Sequence, residues 1–199
     1  MMRAAICMLG TLLTCSALHA QYAPFSAKAK QTEEVFVGGK LSVTQTKEGR
    51  YYRRSSGATL EEWTTFDGRE APGVAYLQDE SGAVYHLSMG AGTAVARRTS
   101  PLPPPDLPTS PNDRDPIIVA GVPCVPAQTK SQPRGQPAVP LGENCFSHKY
   151  NIMLRDEQRY TGPDGKVYHT IYEATEIELF SEPDPKLFDL QARNLKIVK

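Results

Sequence analysis

Few side chains in this sequence are of the types that carry out chemistry. Beyond the first twenty residues there are three histidines, His86, His148 and His169, and two cysteines, Cys124 and Cys145. His169 and Glu173 stand four apart, a spacing that would suit metal ligation on a helix. The segment around them alternates as a strand does, and on a strand the pair shares a face at a separation of about 13 Å. His148 and His169 fall on segments that could pair as a hairpin, which would bring them close. No G-x-S-x-G, H-E-x-x-H, C-x-x-C or phosphate-binding glycine loop is present. The sequence therefore offers no catalytic residue, no metal site and no cofactor site, and a sheet-surface role fits the histidines best.

The aromatic residues are more suggestive. Tyr51, Tyr52, Trp63, Phe66, Tyr76, Tyr85, Tyr150, Tyr160, Tyr168 and Tyr172 all fall in or beside strand-like segments. Aromatic rings favour strands for packing reasons alone. On a curved sheet they can also line a concave apolar face that holds a lipid or another hydrophobic molecule. Trp63, Tyr76, Tyr85, Tyr150 and Tyr172 are the candidates for such a ligand-facing set.

The two downstream cysteines bear on compartment. The N-terminus has one charge at Arg3, an apolar run from Ala4 to Leu13, and the small residue Ala20 at the end of Thr14-Cys15-Ser16-Ala17-Leu18-His19-Ala20. That is the layout of a secretory signal peptide cut between Ala20 and Gln21. The run is too short to span a bilayer, which takes about 20 apolar residues, and no later segment comes closer. Leu12-Leu13-Thr14-Cys15 also has the outline of a lipidation site, which would leave Cys15 as a membrane anchor. An exported chain meets an oxidising compartment, where Cys124 and Cys145 would pair as a disulfide. Such a bridge closes a loop of about 20 residues, worth roughly 3 kcal/mol by chain entropy. The loop is rich in proline and poor in groups that could fill a core, so a covalent clamp suits it.

Charge excludes one class of partner. The chain carries 22 basic and 22 acidic residues, so there is no basic excess to draw nucleic acid. The doublets Arg53-Arg54 and Arg97-Arg98 are short and read as solvated strand faces.

These side chains need a β framework to position them. Residues 21–31 read as a flexible leader after the signal peptide of residues 1–20. From 32 to 99 short runs of Val, Tyr, Thr and Leu alternate with turn signals about every ten residues, which predicts an antiparallel meander. Gly38-Gly39, Ser55-Ser56-Gly57, Asp67-Gly68 and Glu80-Ser81-Gly82 supply the turns. Residues 100–116 form a proline-rich linker that can neither pair as a central strand nor continue a helix. From 117 to 199 the pattern returns to β. Phe146, His148, Tyr150, Ile152 and Leu154 alternate with polar neighbours, which places them on one face of a strand. Pro163-Asp164-Gly165 is a turn, and Val167 to Phe180 a long strand or two with a bend. Asp184 and Pro185 can cap and start one helical turn near 185–190, and Leu195, Ile197 and Val198 can close a last strand. The expected fold is all-β: a curved antiparallel sheet or half-barrel with a short C-terminal helical turn.

Residues 32–199 resemble a group of exported, β-rich bacterial proteins of unknown function. The likeness is carried by Gly49-Arg50, Arg53-Arg54-Ser55-Ser56-Gly57, Asp67-Gly68-Arg69, Tyr85-His86-Leu87 and Glu182-Pro183-Asp184-Pro185-Lys186-Leu187-Phe188. The resemblance implies a curved antiparallel sheet loosely similar to the half-barrel of lipoprotein carriers, and it implies no catalytic residues. The proline-rich stretch and the Cys124–Cys145 loop depart from the group's pattern.

Two function classes follow. One is a non-enzymatic periplasmic or envelope binder or carrier of an apolar small molecule or lipid. The other is a structural or interaction component that contacts an envelope protein. A carrier would show an apolar cavity between the sheet and the C-terminal segment. An interaction protein would show a filled core with an exposed apolar patch or an open sheet edge.

Overall fold

A computed structural model describes residues 22–102, 115–131 and 139–198. The expected signal segment with its expected Ala20–Gln21 cut, Cys15, and most of the expected proline-rich linker lie outside the described residues. So does the centre of the cysteine-closed loop.

Twelve strands among the described residues form one curved sheet. In chain order they are β1 (Phe25–Val37), β2 (Lys40–Arg53), β3 (Thr59–Phe66), β4 (Arg69–Gln78), β5 (Ala83–Ser88), β6 (Thr93–Thr99), β7 (Ile117–Val119), β8 (Val122–Ser131), β9 (Val139–Ser147), β10 (Ile152–Thr161), β11 (Val167–Leu179) and β12 (Lys196–Val198). A single 3₁₀ turn covers Pro185–Phe188, with the Asp184 side chain accepting the Lys186 N–H. The order across the sheet is β12-β6-β5-β4-β3-β2-β1-β11-β10-β9-β8-β7. Two meanders, β1 to β6 and β7 to β11, are therefore joined edge to edge by the antiparallel pairing of β1 with β11. We call them the N-terminal and C-terminal wings. The last strand, β12, pairs parallel to β6.

Residues 25–31, expected as leader, instead open the central strand. Phe25, Ala27 and Ala29 are buried while Lys28 and Lys30 are exposed, an alternation of period two built on small apolar residues. The run from Phe146 to Leu154, expected as one strand, breaks into a turn. Asn151 takes a positive φ of 53°, its N–H donates to the His148 carbonyl, and β10 folds back on β9. His148 thus sits in that turn, and His169 pairs across β10 with Arg159 rather than approaching it. The cysteine loop is a hairpin: β8 pairs with β9. Cys124 and Cys145 are bonded within it, with Cα atoms 5.4 Å apart.

The wings bury opposite faces. Across the C-terminal wing and the adjoining start of β1, Phe25, Ala27, Ala174, Ile152, Leu154, Cys145, Cys124 and Val122 form one buried cluster. These residues come from strands as far apart as β1 and β8, four neighbours away, which in a flat sheet is roughly 19 Å. The sheet must roll to bring them together, and it rolls toward the face carrying Phe25. Bulges between Lys28 and Ala29 and between Met153 and Arg155 supply part of that curvature. In the N-terminal wing the buried set is Tyr52, Leu60, Leu77, Ala75, Leu87 and Ala94, on the other face. The chain after β11 covers it with Leu187, Phe188, Leu190 and Leu195.

Arg53 joins the wings. It was expected on a solvated face, yet it is 4% exposed. Its Nε and Nη2 donate to the Ala23 carbonyl at 3.1 and 2.9 Å, and Nη1 donates to the Asn151 carbonyl at 2.7 Å. Nη2 also donates to the Tyr150 carbonyl. The guanidinium lies 4.9 Å from the Phe25 ring centroid. Burial pulls its pKa below the ordinary arginine value. By contrast, Arg97 and Arg98 are exposed.

Candidate binding trough

Alternation along the strands places Ala174, Ala29, Gly49 and Trp63 in one cross-strand row, from β11 through β1 and β2 to β3. Three of the four have little or no side chain, so the concave face is low here. At Gly49 the absence of a side chain is required: a Cβ would lie 1.9 Å from the Glu62 carbonyl oxygen. A bulge between Glu48 and Gly49 accompanies this close approach and aims Trp63 over the row.

An open trough of about 520 Å³ occupies this low ground. It is lined by Tyr51, Glu61 and Trp63 from the N-terminal wing, Gln31 from β1, and Thr170 and Tyr172 from β11. Met153, Asp156, Gln158 and Tyr160 of β10 form the opposite wall. Trp63 is only 3% exposed. Its ring meets Tyr172 edge to face, with centroids 6.4 Å apart, and its indole N–H donates to Glu61 Oε1. Lys47 Nζ stands 4.6 Å from the Trp63 ring centroid. Tyr51 packs edge to face on Phe25 at 5.2 Å. Gln158 Nε2 donates to Asp156 Oδ2 at 2.7 Å, which fixes that amide and carboxylate together.

Burial raises the Tyr51 phenol pKa, with Arg53 pulling the other way and Glu61 adding to the rise. Burial also raises Tyr172 far above the ordinary phenol value, with Tyr51 and Glu61 reinforcing it. Both phenols therefore stay neutral hydrogen-bond donors across the physiological range. The wall as a whole offers aromatic area with carboxylates, amides and hydroxyls set among it.

Of the five aromatics singled out from the sequence, the structure brings Trp63 and Tyr172 together in the trough. Tyr76 lies on the same face but outside it, 46% exposed and stacked on His86 at 5.0 Å. Tyr85 faces the other way and packs against the N-terminal core. Tyr150 sits in the β9–β10 turn and meets Phe180 edge to face at 5.8 Å. Tyr51 and Tyr160 belong to the trough but were not in the set. For Tyr51 the signal was present, because it follows Gly49 by two and so shares its face.

The other two sequence features resolve into structure. Side chains of the N-terminal core pack directly against the C-terminal segment. At its rim an open pocket of about 470 Å³ remains, lined mainly by polar residues such as Arg54, Asp79 and Asp189. The aromatic trough lies on the other face of the sheet. The widely separated motifs at 53–57 and 182–188 meet: Glu182 accepts from Arg54 Nε at 3.1 Å and from the Ser55 N–H at 3.2 Å. Arg54 also lies over the Phe188 ring at 5.9 Å. They are a packing joint, as turn-rich motifs suggest. His169 forms a bridge on the convex face, with Nδ1 2.9 Å from Glu34 Oε2 and Nε2 3.1 Å from Glu157 Oε1. No cluster of three or more His, Cys, Asp or Glu able to hold a metal occurs among the described residues. No described helix is long and apolar enough to cross a membrane.

No protein-family model matches the chain. No curated protein matches it either. Two solved structures are distantly similar in fold. A LolA superfamily protein from Nitrosomonas europaea is 8% identical, with 86% of this chain and 91% of that one covered and a TM-score of 0.36. A domain described as an outer membrane lipoprotein-sorting protein from Vibrio parahaemolyticus is 9% identical, with the same coverages and a TM-score of 0.27. With identity this low and superposition this loose, neither bears on ligand or activity.

Proposed function

We propose that the protein is a non-enzymatic binder or carrier of a molecule with a substantial apolar part, exported to the periplasm or envelope and holding its ligand in the trough. One observation carries the reading: an open trough of about 520 Å³ on the concave face, walled by Tyr51, Trp63, Tyr160, Tyr172 and Met153. A volume of that order suits a small-molecule site, and a wall that sets four aromatic rings and Met153 among five polar side chains offers apolar area with groups that can orient a ligand. The signal-peptide layout of residues 1–20 and the Cys124–Cys145 pair support the compartment.

Trp63 is the one tryptophan of the chain, so intrinsic fluorescence reports on the trough without a label. Protein purified gently from the periplasm should yield a stoichiometric apolar molecule in an organic extract. Re-adding that molecule to stripped protein should shift Trp63 emission saturably. A clean extract from folded protein, with no fluorescence response to amphiphiles, would remove the carrier reading. The interaction reading would then take its place. Its specific support is the β1–β2 hairpin tip, where Val37, Leu41 and Val43 are each about half exposed.

A further inference from the structure

The trough's polar groups carry one sign. Glu61 and Asp156 line it, and among the described residues no lysine or arginine does. The remaining polar lining is neutral: Gln31, Gln158, Thr170 and the phenols of Tyr51, Tyr160 and Tyr172. Four aromatic rings stand among these groups, each presenting a face of negative potential. Trp63 already attracts a cation, since the Lys47 ammonium sits 4.6 Å from its ring centroid. The Glu61 charge reaches both inner phenols and helps to raise their pKa values. Aromatic faces and two half-buried carboxylates, set against the single lysine over Trp63, favour an ammonium and disfavour a phosphate or sulfate.

We infer that the ligand of the trough is a cationic amphiphile, an amine or quaternary ammonium attached to an apolar body. The cationic group rests on the Tyr51, Trp63 and Tyr172 rings within reach of Glu61 and Asp156. The apolar body lies along Met153 and Tyr160. Lys47 is a built-in competitor for the Trp63 face and sets the threshold a ligand must exceed. This inference rests on the trough being a binding site and adds the charge of what it binds.

Calorimetric titration of the whole mature protein with three submicellar probes of one tail length tests it: decyltrimethylammonium, decyl maltoside and decyl sulfate. Far-UV circular dichroism checks that each probe leaves the fold intact. The ammonium should bind about tenfold more tightly than the maltoside, with the sulfate weakest. Glu61→Gln keeps an acceptor for the Trp63 N–H while removing the charge, and with Asp156→Asn it should erase the preference for the ammonium. Lys47→Met should tighten the ammonium severalfold and leave the maltoside unchanged. Equal binding of all three probes, each with a Trp63 fluorescence response, would overturn the charge inference while the binding site stands. Tighter binding of the sulfate would do the same. No binding by any probe would overturn both.

Discussion

The two wings solve one problem in different ways. Each is a meander with a single buried face, and each needs something to cover it. The C-terminal wing covers itself by rolling, so that Val122 and Cys124 of β8 reach Phe25 and Ala27 of β1, with a disulfide inside the rolled region. The N-terminal wing stays open and borrows a cover, the chain from Leu187 to Leu195. That cover is tied by Arg193, which donates to Glu62 and, at 3.1 Å, to the Leu187 carbonyl. Because the buried faces are opposite, the concave face is left uncovered between them, where one wing's core ends and the other's has changed sides. The trough is therefore a product of the difference between the wings.

The strongest way to break this picture is to remove the joint. Arg53→Met should strand the Ala23, Tyr150 and Asn151 carbonyls. At the usual cost of unmet buried acceptors, it should lower stability by on the order of 4 kcal/mol in urea unfolding. A loss below about 1 kcal/mol would mean the wings are held together elsewhere.

Opening the disulfide separates the wings instead of disconnecting them. Cys124→Ala with Cys145→Ala should cost about 3 kcal/mol, the loop-closure estimate for this span. Hydrogen-exchange protection should fall around Val122, Ile152 and Leu154 and persist around Leu60, Leu77 and Leu87. Uniform loss would show one cooperative unit in place of two covers.

The mirror experiment is Leu195→Ala, which empties part of the borrowed cover. Removal of a mostly buried leucine side chain should cost about 2 to 3 kcal/mol. Protection should then fall in β3 to β6 and hold in β8 to β10.

The smallest effect expected is at the seam itself. On the convex side His169 ties β1 to β10 through Glu34 and Glu157. Burial opposes its charge, but the hydrogen bonds to Glu34 and Glu157 outweigh that and lift its pKa above the ordinary 6.5. Its contribution is therefore fully present below pH 6.5 and fades as pH rises through the higher folded value. The His169 hydrogen bond lowers the Glu157 pKa below 4.5, so that group's contribution is present above 4.5 and fades as pH falls through its folded value. The bridge is strongest between the two limits. His169→Gln should cost less than about 1 kcal/mol at pH 5.5 and nothing measurable at pH 9. An equal cost at both values would assign His169 a packing role only.

Much of the N-terminal wing could be read from sequence because its information is local. Gly38-Gly39 and Asp67-Gly68 take the positive φ values their turns require, and strands between such turns follow by alternation. Leu60, Leu77 and Leu87 then fall on one face by counting. The beginning of β1 was missed because Ala27 and Ala29 are weak markers of a buried strand, and the lysines between them dominate the composition. The β9–β10 turn was missed because it contains neither glycine nor proline. Arg53 was misplaced for a different reason. Its partners lie 97 and 98 residues away at Tyr150 and Asn151, and no local pattern encodes carbonyls that distant. The trough depends on the same kind of information. Trp63 and Tyr172 meet only because β1 and β11 pair, so their types were suggestive while their convergence was not legible. Tyr85 and Tyr76 are equally attractive by type, yet Tyr85 falls on the opposite face and Tyr76, though on the trough's face, stands on β4 beyond its edge.

The outermost strands have a consequence for how these molecules behave in a crowd. Each end of the sheet is closed by only three residues, β7 at one and β12 at the other. Beyond β12 the rest of β6 presents Arg97 and Arg98, and beyond β7 the rest of β8 contains Pro126, which has no N–H to donate. A second copy arriving edge to edge would find a short ladder, then like charges or a missing donor. Sheet-to-sheet polymerisation is thereby discouraged at both ends, which lets a wide, unclosed sheet be concentrated without seeding fibres.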